Sequence, residues 1–112
     1  ADLFQGADGF LGVQRERPSL FDLREDMARI TVPTLILNGD EDWPCLLPAL
    51  MMKEVIPSAA MAVIPNAGHT INIEVPDAFN RELGEFLAWV EAGRWPVRDP
   101  RAMGKSILGM VK

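Results

Sequence analysis

At 112 residues the chain suffices for one domain with one modest core, and 48% apolar with 24% charged residues is a soluble globular mixture that excludes disorder. Net charge is −5 but uneven: residues 1–93 hold six basic and fifteen acidic side chains, whereas residues 94–112 hold Arg94, Arg98, Arg101, Lys105 and Lys112 against Asp99 alone. The acidic body argues against a nucleic-acid partner, because phosphate neutralisation supplies most of that affinity.

No apolar run approaches the roughly 18 residues of a spanning helix, so no membrane partner is expected. Residues Ala1 to Gly6 show no basic start leading into an apolar stretch, hence no visible signal peptide. A single cysteine, Cys45, excludes an intrachain disulfide and fits a reducing, cytoplasmic compartment. The basic tail reads first as a solvated or docked terminus.

Residues 1–17 carry Gly6, Gly9 and Gly12 without a sustained period and read as a loop or linker. Ser19-Leu20-Phe21-Asp22 has the form of a capping box. Leu20, Leu23, Met27 and Ile30 follow at helical spacing, predicting a helix of about three turns that Pro33 ends. Thr34-Leu35-Ile36-Leu37, bounded by Pro33 and Asn38-Gly39, suits a buried parallel strand. Leu47, Leu50, Met51 and Val55 predict the inner face of a second helix, with Pro48 in its first turn. Met61-Ala62-Val63-Ile64 is the next strand, stopped by Pro65-Asn66. Pro76 then opens a helix lined by Phe79, Leu83, Phe86, Leu87 and Val90, with Gly93 where a left-handed cap belongs.

Strand, helix, strand, helix at these lengths is a βαβα unit of an α/β fold, its strands parallel and flanked by helices. Two parallel strands cannot cover both faces and both edges. A missing amino-terminal half of the core, a second copy in a homo-oligomer, or both must complete them.

Ligands in such folds bind beyond the carboxyl ends of the strands. Two loops leave those ends, Gly39-Asp40-Glu41-Asp42-Trp43-Pro44 and Asn66-Ala67-Gly68-His69-Thr70. With adjacent strands about 4.8 Å apart, a carboxylate in the first loop can reach the imidazole in the second. A carboxylate so placed fixes the ring tautomer and stabilises the imidazolium formed when histidine takes a proton. His69 is the only histidine, and its bland reading is a surface loop residue between Gly68 and Thr70. Asp40 and Glu41 read equally as hydrated turn residues, and spacing alone leaves open which of the three acids meets His69. Trp43 suits either the mouth of a pocket or the packing of its loop. Cys45 follows Asp42 by three residues, whereas a nucleophile belongs on a different strand, so a semi-buried structural thiol is expected. Asp40, Glu41, Asp42 and His69 resemble no dense metal-ligand motif, and neither a metal nor an organic cofactor is implied.

Pro33 to Asp42 resembles the strand and acid loop near the end of α/β-hydrolases. Ile56-Pro57, then Val63-Ile64-Pro65-Asn66-Ala67-Gly68-His69, is similar to that family's last strand and histidine loop. Glu74 to Asn80, with Phe86-Leu87, resembles its closing helix. The resemblance extends over residues 30–92. It implies a division into a linker and the end of a cap-like segment (1–29), the carboxyl-terminal part of the hydrolase core (30–93) and a basic tail (94–112). It also implies that Asp42, three residues after the glycine, is the triad acid and His69 the triad base.

The family's nucleophile sits in a Gly-x-Ser-x-Gly elbow well upstream. Ser19, Ser58 and Ser106 are the serines here, and none has that pattern. Gly104-Lys105-Ser106 also lacks the earlier glycine of a phosphate loop, since that position is Asp99. The expected function is therefore the carboxyl-terminal part of a serine hydrolase acting on a small-molecule ester or related carbonyl, inactive alone. The alternative is a non-catalytic binding or assembly module, for which Met103, Ile107, Leu108 and Val111 offer a short amphipathic helix weakened by Gly104 and Gly109.

Overall fold

The computed structural model of the protein describes residues 19–102. The readings placed on residues 1–17, on Ser106 and on Met103, Ile107, Leu108 and Val111 lie outside that range. In chain order the elements are a 3₁₀ turn (Leu20–Leu23), α1 (Arg24–Met27), β1 (Thr34–Gly39), α2 (Trp43–Val55), β2 (Ala59–Ile64), α3 (Ile71–Glu74), α4 (Pro76–Glu91) and a final 3₁₀ turn (Pro100–Ala102).

β1 and β2 pair in parallel, with Thr34 opposite Ala59 and Gly39 opposite Ile64. Because side chains alternate along a strand, the pair serves two cores. On one face Ile36 and Ala59 pack with Ala49 and Ile56, and Met27, Ile30 and Met52 close around them. On the other, Ile64 packs with Ala67 and Ile71 against Leu37, Val75 and Phe79. α2 thus covers one face of the sheet and α4 the other. This is the expected βαβα architecture, two parallel strands flanked by helices.

Three local expectations need correction. The predicted three-turn first helix is instead one 3₁₀ turn followed by one α-helical turn. Neither fully buries a residue, and with Met27 alone of α1 packed on the core the segment lacks the apolar contact that sustains a longer helix. Ser19 does bond forward, but to the Phe21 amide at 3.2 Å. The second correction concerns α2, which begins at Trp43, so Pro48 lies inside the helix and Pro44 occupies its first turn. Pro48 has no N–H to give the Pro44 carbonyl, which loses its intrahelical donor. Of the predicted inner face, Met51 is buried and Val55 packs against the core beside Ala49 and Met52, while Leu47 is 69% and Leu50 54% exposed. Third, Leu87 on α4 is exposed, and no residue of that helix is fully buried.

Gly93 does take the left-handed conformation, φ +68°. Its amide bonds the Val90 carbonyl and the Arg94 amide bonds the Trp89 carbonyl, each at 3.0 Å, the paired bonds of a Schellman cap. The chain then returns beneath the sheet. Trp95 meets Phe86 edge to face and donates its indole N–H to the Ser58 carbonyl at 2.6 Å. The Arg98 guanidinium donates to the Lys53 and Ile56 carbonyls at 2.6 and 2.7 Å, capping the carboxyl end of α2. Ser58 is fully buried and donates to the Val32 carbonyl at 2.6 Å.

Candidate active site

At the carboxyl ends of the strands the two loops continue the sheet by two further bonds. Asp40 donates its amide to the Ile64 carbonyl (3.0 Å) and Glu41 its amide to the Ala67 carbonyl (2.9 Å). The Asp40 carboxylate accepts from the Ala67 amide at 3.2 Å, so Asp40 fastens the histidine loop rather than facing the ring. Gly39 allows the approach: a β-carbon there would stand 2.3 Å from the Gly68 carbonyl oxygen and 2.4 Å from that of Ala67. Asn66 turns the loop with φ +57°, a left-handed conformation that asparagine tolerates better than most residues.

These constraints bring Asp42 to His69. Asp42 occupies the amino-cap position of α2 but makes no capping bond, because its carboxylate is turned to the ring. Oδ2 lies 2.8 Å from Nδ1, with the Asp42 side chain 11% and the His69 side chain 76% exposed. A carboxylate only accepts, so Nδ1 carries the proton and, in the neutral ring, Nε2 keeps its lone pair. The bond from His69 holds the Asp42 carboxyl below its ordinary value; burial opposes this and the Cys45 thiol adds to it. Among the described residues no serine hydroxyl bonds the ring.

Cys45, in the first turn of α2, brings its Sγ to 3.9 Å from Nδ1, the nitrogen that Asp42 already holds. Burial, then the Asp42 carboxylate, pushes the thiol up. A nucleophile needs the free nitrogen and a low pKa, and Cys45 has neither. Metal-ligating atoms gather differently from the sequence expectation. Asp42, Cys45 and His69 have theirs within 4.8 Å of one another, while Asp40 and Glu41 stay outside the group.

Glu74, which entered only through the resemblance of the closing helix, proves central to the loop. Its carboxylate accepts from the Gly68 amide at 2.8 Å, the Thr70 hydroxyl at 2.9 Å and the Thr70 amide at 3.1 Å. These residues flank His69 on both sides. The Gly68 amide, then the Thr70 hydroxyl and amide, hold the Glu74 carboxyl below its ordinary value. A histidine followed five residues later by an acid closing one helical turn is the signal that would have found it.

Beside the pair runs a cleft walled by Leu20, Phe21, Pro44 and Pro48, with Asp42 and His69 on its lining. Trp43 is 72% exposed and is not part of that wall.

No protein-family model matches the chain. It is 32% identical over 71 residues to a putative 2-succinyl-6-hydroxy-2,4-cyclohexadiene-1-carboxylate synthase of Bacillus subtilis, covering 63% of this chain and 25% of that protein. It is 39% identical over 70 residues to a putative non-heme chloroperoxidase of Synechocystis, covering 61% and 25%. Among solved structures, MenH from S. aureus superposes with a TM-score of 0.60 at 35% identity, covering 62% of this chain and 26% of that one. Over 62% of its length the chain is similar in fold and sequence to part of an α/β-hydrolase, consistent with the carboxyl-terminal portion of that fold. It spans about a quarter of the length of the curated relatives it matches. No helix among the described residues is long and apolar enough to cross a membrane.

Proposed function

We propose that the chain supplies the acid, Asp42, and the base, His69, of a serine-hydrolase triad acting on a small ester or related carbonyl. The nucleophile and the oxyanion donors come from polypeptide beyond these residues, and the chain alone is inactive. The observation that carries this reading is the 2.8 Å contact between Asp42 Oδ2 and His69 Nδ1, with Nε2 left free on an exposed ring.

In that arrangement Nε2 takes the serine proton as the hydroxyl attacks the carbonyl carbon. The imidazolium is stabilised by Asp42, which its neighbours keep ionised. The proton then passes to the leaving group, and a water repeats the cycle to release the acyl product. The apolar cleft wall of Leu20 and Phe21 suits the carbon skeleton of such a substrate. That the relatives include a putative carbamate hydrolase supports a carbonyl substrate class.

The test is made in the polypeptide encoded together with its upstream sequence. His69→Ala and Asp42→Asn are each expected to lower ester turnover by about a thousandfold or more. Undiminished turnover in both variants overturns the assignment, and ester turnover by the purified 112-residue chain overturns its inactivity. A second reading, an assembly module, draws on Trp43, Leu47 and Leu50, exposed at i, i+4 and i+7 along α2. A monomer at all concentrations in gel filtration removes it.

A further inference from the structure

We propose that Asp42, Cys45 and His69 form a binding site for a thiophilic divalent cation, with Zn²⁺ the ion whose chemistry fits best. Three different ligand types converge there: Oδ2 lies 2.8 Å and Sγ 3.9 Å from Nδ1, all within 4.8 Å of one another. Zinc bonds of about 2.0–2.2 Å to O and N and about 2.3 Å to S separate tetrahedral ligands by about 3.3–3.6 Å. The three atoms lie within 4.8 Å of one another on side chains that can rotate, so re-spacing them toward that geometry needs no change of backbone.

The local sequence supports the same geometry. Asp42-Trp43-Pro44-Cys45 has the two-residue spacer that lets paired zinc ligands share one ion across a tight turn. The third ligand arrives from the neighbouring strand's loop, held by Asp40 and Glu74 through the bonds described above. Three protein ligands on an exposed ring leave a fourth position open to water. The thiolate excludes Ca²⁺ and Mg²⁺, which take oxygen ligands, and selects a softer ion.

Cys45 sits in the first turn of a helix, where the dipole favours an anionic ligand. On binding, the thiol proton leaves to solvent and the ring proton moves from Nδ1 to Nε2, so about one proton is released. Binding itself does not depend on the catalytic reading. If that reading also holds, the metal-bound ring has no lone pair on Nε2 and cannot act as a base.

The chain's single cysteine and single histidine make the test unambiguous. The full chain, reduced with a phosphine, is titrated with Zn²⁺ by calorimetry and with Co²⁺ by absorption. One ion per chain and a thiolate-to-cobalt charge-transfer band are expected. Cys45→Ser should abolish the band. His69→Gln, at an exposed ring whose replacement leaves both cores intact, should weaken Zn²⁺ by more than the roughly 10–100-fold that loss of a supporting contact costs. Absence of saturable binding overturns the site. So does binding that survives both substitutions, which places the ion on surface carboxylates. Because no substrate is used, failure here leaves the hydrolase reading standing, and failure of that reading leaves this one.

Discussion

The two ends of the strand pair are fastened by opposite chemistry. At the carboxyl ends, the loops and helix starts present amides, and the side chains that bind them are carboxylates: Asp40 on the Ala67 amide, Glu74 on those of Gly68 and Thr70. At the amino ends, α2 runs out in bare carbonyls, and the side chains that bind them are donors: Arg98 on Lys53 and Ile56, Trp95 on Ser58. The helix dipole and the unsatisfied groups at helix termini dictate that polarity. The ends also differ in wetness. Ser58 is fully buried at the donor end, whereas His69 stands exposed at the carboxylate end. The His69 ring thus stands exposed above a fastened loop, free to meet a substrate or an ion.

The comparison breaks most severely at Gly39, where the two loops touch. A β-carbon at 2.3 Å from a backbone oxygen has no flexible neighbour to yield to it. Gly39→Ala is expected to cost about 3 kcal/mol, read as a lowered denaturation midpoint, and to separate the Asp42 and His69 resonances from their paired positions. Next comes Arg98→Ala at the opposite end. It frees two carbonyls from a charged donor and is expected to cost about 2 kcal/mol while leaving the His69 ring resonances in place. Displaced ring resonances would show that the ends are coupled.

The smallest effect is expected at Glu74. Its carboxyl titrates below the ordinary value in the fold, so its contribution is present above the ordinary carboxylate range and is lost as pH falls through the lowered folded value. Glu74→Gln should flatten the acid limb of the stability–pH curve and broaden the His69 signals. An unchanged acid limb would remove Glu74 from the loop's support.

Much of this was legible in the residues. The strands were bounded by prolines and Asn38-Gly39, and Pro76 and Gly93 marked both ends of α4, because φ restrictions act locally. The Asp42–His69 contact followed from adjacent strand ends, although the choice among three acids needed the family resemblance. The face of α2 was legible only in part, right for Met51 and Val55 and wrong for Leu47 and Leu50. Thirteen residues from Trp43 to Val55 hold only Lys53 and Glu54 as charged side chains, so periodicity marks the face weakly. Cys45 joined the site only because α2 starts at Trp43, a boundary hidden by two prolines. Glu74 escaped because Ile71–Glu74 is one turn long, too short for any periodic signal.

One feature of the sheet reaches past the site. Among the described residues each strand has one neighbour, so the outer edges of β1 and β2 keep a row of donors and acceptors without a strand beside them. Any extended segment of matching spacing fits such a row, whether from another molecule or from the same polypeptide. A covalently tethered strand meets it at an effective concentration of order millimolar, far above that of free chains in a cell. Correct completion and stacking into aggregates therefore compete for the same hydrogen bonds, and tethering decides the contest.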